Sequence, residues 1–158
     1  MDWAGWALFG LISTVFLTAL MISAQMGGLS RLDLPLILGT VVTPDPDRAR
    51  AAGFVIHLVV GQAFALGYAA SFAVLGQATW WLGALFGALH GVVALMVLVP
   101  LLVGIHPRMA SNRAGIESTA VLEPPGLLGL NYGAQTPLVT FTAHVAYGTA
   151  LGMLLVVH

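Results

Sequence analysis

Four stretches of this chain, residues 3–24, 51–76, 80–104 and 137–157, run for about 20 residues or more without one Asp, Glu, Lys or Arg. A hydrocarbon core about 30 Å thick needs about 20 apolar residues at 1.5 Å each, so each stretch is long enough to cross a bilayer as a helix. Lipid offers backbone N–H and C=O groups no partners, and helices satisfy them internally. The alternation expected of barrel strands is absent. Charged residues make up 7% of the chain, against about 25% in a soluble domain, and hydrophobic residues 59%. Water is a poor solvent for such a surface. The expected fold is all-α: one domain of 158 residues, a four-transmembrane-helix bundle.

The first span follows an acidic Met1-Asp2-Trp3 start and is longer than a leader's apolar core, so it reads as a retained span. The connections are unequal. Loops 25–50 and 105–136 fall on one side of the membrane; the turn Gly76-Gln77-Ala78-Thr79 and both termini fall on the other. The five basic residues, Arg31, Arg48, Arg50, Arg108 and Arg113, all lie in the long loops, which the positive-inside rule places in the cytoplasm. Trp3, Trp6, Trp80 and Trp81 mark the opposite interface. This predicts a multi-pass plasma-membrane protein with both termini outside. Asp47 is expected to cap the second span, and Thr136-Pro137 to open the fourth.

Phe54, His57, Gly61 and Ala63 align at a constant offset with Phe141, His144, Gly148 and Ala150. The shared His-x-x-x-Gly, with a long loop before each copy, predicts two parallel helical-hairpin repeats about an axis along the membrane normal. Gly83, Gly87 and Gly91 recur every fourth residue, a stripe that lets another backbone approach closely. Such stripes support homo-oligomers or larger membrane complexes as readily as packing within one chain. Pro100 removes a backbone donor and should bend the third span. In the first loop, Asp33-Leu34-Pro35-Leu36-Ile37-Leu38-Gly39 reads as a capped helix too short to span.

The Asp-Leu-Pro loop, His106-Pro107-Arg108 after the third span, the Pro124-Pro125-Gly126 and Asn131-Tyr132-Gly133 pieces, and the paired His-x-x-x-Gly together resemble a family of uncharacterised four-helix bacterial inner-membrane proteins of the YagU type. The resemblance covers most of the chain and implies a bacterial inner membrane. It implies no activity.

Ionisable residues within spans are functional candidates, and here they are His57, His90 and His144. Thr14, Thr18 and Ser23 of the first span are the structural partners at hand. If the repeat holds, His57 and His144 lie at equal depth and face one axis, with Gly61 and Gly148 leaving room beside them. That pair fits a b-type haem with two axial histidines, a metal ion, or a polar site in a transport path. His90 is expected about 10 Å deeper, from the rise per residue. His106, Arg108 and Arg31 form a candidate anion or lipid-phosphate site, the alternative being a basic membrane anchor.

The net charge of -1 gives no case for nucleic acid as a partner, and the absence of cysteine excludes thiolate sites. No phosphate loop, His-Glu-x-x-His or nucleophile elbow is present. The leading expectation is a non-enzymatic binding or transport module, with membrane lipids as its surroundings. The alternative is a lipid enzyme at the interface using Asp33, Glu123 and His106.

Overall fold

The computed structural model describes residues 2–110 and 122–157, and Arg113 lies outside them. The described residues are helical, with a single isolated bridge between Met109 and Leu122 and no strand. Three helices are long and apolar enough to cross a membrane: α1 (Trp3–Met26), α3 (Pro46–Leu75) and the composite run Trp80–Ile105. Four were expected. The fourth, α6 (Thr136–Leu154), is 19 residues long, and Thr136, Thr140, Thr142, Thr149 and His144 dilute its apolar character.

Helix α1 is capped by Asp2, which accepts from Gly5 N–H at 2.8 Å. The short helix α2 (Leu34–Gly39) forms as its sequence indicates, with Asp33 accepting from Leu36 N–H at 2.9 Å. Helix α3 begins at Pro46 rather than Ala51. Asp45, not Asp47, is its N-cap, because a proline at the first helical position places the cap immediately before it. Arg48 and Arg50 thus belong to the start of α3, and Arg50 pairs with Asp33 at 2.8 Å. Gly76, at φ 69°, ends the helix in the left-handed conformation, and Thr79 caps the next. Helix α6 includes Thr136, which bonds Ser30 Oγ at 2.8 Å instead of capping.

The run Trp80–Ile105 is three pieces: α4 (Trp80–Val93), a π-helical turn (Ala94–Leu98) and α5 (Val99–Ile105). Pro100 explains the turn. Its ring collides with the carbonyl four residues back in a regular helix. Widening the preceding turn, with Val99 N–H bonded to Ala94 five residues back, relieves that collision.

Glycine decides which helices touch. A Cβ on Gly83 would overlap the Gly148 carbonyl, and one on Gly87 the His144 carbonyl. The stripe is therefore filled by α6. A Cβ on Gly61 would overlap Thr14, which sets the approach of α1 to α3, and one on Gly53 would overlap Pro35, seating α2 on α3. Packing runs from α3 to α1, from α1 to α6 and from α6 to α4. Helix α3 makes no comparable close approach to α4 or α5. Between α3 and α4 the space is filled by aromatic rings instead, with Phe64 stacked on His90 at 4.0 Å and Phe72 on Phe86 at 5.6 Å. The outward faces carry bare Leu, Val, Ile and Trp side chains along α1, α3, α4 and α5, the surface that lipid requires.

Candidate functional site

His57 of α3, His90 of α4 and His144 of α6 border one cavity of about 280 Å³. This is near the lower end of the roughly 300–1,000 Å³ of small-molecule sites. Its walls come from α1 (Thr14, Leu17, Met21), α2 (Leu34, Ile37, Leu38), α3, the π-turn and α5, with Tyr147 and Thr140 from α6. Apart from the histidines, Thr14, Thr140 and Tyr147, the lining is apolar.

Each histidine is held through Nδ1. His57 Nδ1 lies 2.9 Å from Thr18 Oγ1, and Thr18 Oγ1 in turn lies 2.8 Å from the Thr14 carbonyl. A carbonyl only accepts, so the single hydroxyl hydrogen of Thr18 goes to Thr14. The hydrogen between Thr18 and His57 therefore belongs to the imidazole, and His57 donates from Nδ1. His144 Nδ1 donates to the Thr140 carbonyl at 2.7 Å. Both rings carry their proton on Nδ1, which leaves Nε2 as a bare lone pair. His90 Nδ1 meets the Tyr68 hydroxyl at 3.4 Å.

His90 does not lie 10 Å from the other two levels. Its ring centroid is 4.6 Å from that of His144. The rise along one helix ignores the stagger of a neighbour, and here Gly87 and Gly91 draw α4 down onto α6 at that level. His57 lies eleven residues after Pro46, where α3 begins, and His144 eight after Thr136, where α6 begins.

Gly61 lines the cavity and Gly148 does not, and both are helix contact points. The Cβ position of Gly61 is occupied by Thr14, and that of Gly148 by Gly83 and Gly87. Among the described residues, no cluster of three or more His, Asp or Glu side chains is placed to hold a metal ion. Thr18, one of the first-span hydroxyls expected to partner a histidine, holds His57, whereas Tyr147 was not singled out. Tyr147 donates to the Gly61 carbonyl at 2.7 Å, crossing from α6 to α3. Its place three residues after His144, nearly one helical turn on, was the available signal.

The loop residues are engaged by the protein itself. His106 Nδ1 accepts from Arg108 N–H at 3.1 Å, so Nε2 carries the proton and donates to the Ile37 carbonyl at 2.9 Å. Arg108 Nη1 donates to the Thr40 and Val41 carbonyls at 2.5 and 3.1 Å, closing the C-terminal end of α2. Arg31 donates to the Asn131 carbonyl and lies 3.8 Å from Glu123. Thus His106 and Arg108 meet at α2, while Arg31 pairs separately with the 3₁₀ segment Leu127–Tyr132 and with Glu123, four residues before it. Asp33 is held by Arg50 and Leu36, so Asp33 and Glu123 sit in different ion pairs.

No family model, curated protein or solved structure matches the chain.

Proposed function

We propose that this is a four-crossing membrane protein, with the long loops cytoplasmic and both termini outside, whose histidine-floored cavity binds a small apolar molecule. One observation carries the reading: a nearly all-apolar space meets imidazoles whose Nε2 atoms take no partner among the described residues. Buried acceptors without partners are costly unless something completes them. Helix α6 serves as the fourth crossing because α1 and α4 cover it, and two of its threonines, Thr142 and Thr149, bond its own carbonyls. The similar geometry of the two His-x-x-x-Gly copies supports a parallel repeat, since each glycine is the contact point with the preceding long helix. A bacterial inner membrane, a YagU-type family and association with further subunits belong to the same proposal.

Binding is favoured over lipid chemistry because Asp33, Glu123 and His106 are each fixed in separate structural bonds. The test is extraction and mass analysis of what co-purifies with the full chain in mild detergent. A stoichiometric apolar molecule lost on filling the cavity by Leu17→Trp supports the reading. An empty cavity under all extraction conditions overturns it.

A further inference from the structure

We propose that the cavity takes a neutral lipid bearing a hydroxyl group at its buried end, and that this lipid enters sideways from the bilayer between α3 and α5. The inference rests on the binding reading above and adds the chemistry and route of the ligand.

The chemistry follows from the protons. His57 and His144 present lone pairs, because Thr18 and the Thr140 carbonyl each take the Nδ1 hydrogen. The complementary group is a hydrogen-bond donor or a cation. Among the described residues, no Asp, Glu, Lys or Arg lines the cavity. A metal dication or an ammonium there would have no counter-charge in a low-dielectric space, and a carboxylate would face lone pairs. A neutral hydroxyl meets both conditions. Thr140 adds a second feature: it borders the cavity, is buried, and its hydroxyl bonds no other described residue. A ligand hydroxyl is therefore specified by the imidazole lone pairs, with the Thr140 hydroxyl an unpaired polar group close behind the lining. The rest of the lining suits a hydrocarbon chain.

The route follows from the packing. Val60 on α3 and Leu101 and Ile105 on α5 line the cavity, yet are 40%, 51% and 66% exposed on the outer surface. Residues that face both ways form a rim. They lie where α3 and α5 lack close packing, so the rim opens toward lipid. At the loop end, His106 and Arg108 tie the chain after α5 to α2 and close that side.

The test uses the full chain in nanodiscs and two photoactivatable probes of equal chain length, a long-chain alcohol and its methyl ether. The alcohol should label cavity-lining peptides at about fivefold to tenfold lower concentration than the ether, the worth of one or two hydrogen bonds. His57→Phe and His144→Phe should remove that preference. Thr18→Val, which keeps the imidazole but frees its tautomer, should shrink it and covers the case in which the histidine variants misfold. Val60→Trp should reduce labelling by both probes. Equal labelling of the cavity by alcohol and ether overturns the hydroxyl inference and leaves the cavity a binding site. Absence of cavity labelling by either overturns the binding reading itself. Unchanged labelling in Val60→Trp overturns the lateral route. Stoichiometric metal in the purified protein, lost in His57→Phe, overturns the neutral ligand.

Discussion

The imidazole of His90 stands edge-on to that of His144, their centroids 4.6 Å apart and their planes at 77°. The contact joins two helices, and glycine makes it possible. A Cβ on Gly87 would overlap the His144 carbonyl, and one on Gly91 would press on Phe141 and the His144 side chain. Gly87→Val is expected to push α4 from α6 and cost about 1–3 kcal/mol or more, as overpacking does. Gly67→Ala, where a Cβ meets nothing, should gain up to about 1 kcal/mol from helix propensity. Thermal unfolding in detergent compares the two; equal midpoints would refute the packing role.

Arg108 is expected to act as a clamp on α2. Removing its bonds to Thr40 and Val41 in Arg108→Ala should cost about 1–3 kcal/mol locally. Hydrogen exchange should then rise in residues 34–43 while α1 and α6 stay protected. Arg108→Ala that instead abolished phosphate-lipid binding with unchanged exchange would restore the anion-site reading.

Tyr132 gives a pH signature outside the spans. Burial first, and then the Glu123 carboxylate, push its phenol up to about 12, with Arg31 opposing. The neutral phenol is favoured in the fold, where it donates to the Glu123 carbonyl at 2.5 Å. Its contribution is therefore complete below the ordinary value of 10.0 and is lost as pH rises toward about 12. Stability of the wild-type chain should fall between those limits more steeply than that of Tyr132→Phe. Parallel curves would remove this assignment.

Topology has its own check. Reporter fusions after His158 and within the loop at Arg113 should report opposite sides, the first external and the second cytoplasmic. A cytoplasmic signal from the C-terminal fusion reverses the orientation.

Much of the helix layout was legible because lipid imposes it: uncharged runs ended by Gly76, capped by Thr79 or interrupted at Pro100 announce themselves. The start of α3 was missed because Arg48 and Arg50 look like loop residues, whereas Asp45-Pro46 was the stronger signal. The histidine layer was only half legible. Spacing along one helix gives a face, but the level at which His90 meets His144 depends on how far α4 slides along α6, and that is set by where glycines interlock. The tautomers were beyond the sequence, since they follow from Thr18 donating to its own helix.

The π-turn at Ala94–Leu98 acts as a change of phase in the third long helix. One residue more than a regular turn carries retards everything after it by about 100° around the helix axis. Leu101, Leu102 and Ile105, which line the cavity, take their direction after that lag. Deleting one residue from the turn would restore α-helical phase and swing those side chains away. The space beside the histidines would then be walled by whatever followed in register. The shape of the cavity is thus encoded less in which residues line it than in a single residue of surplus length one turn before Pro100.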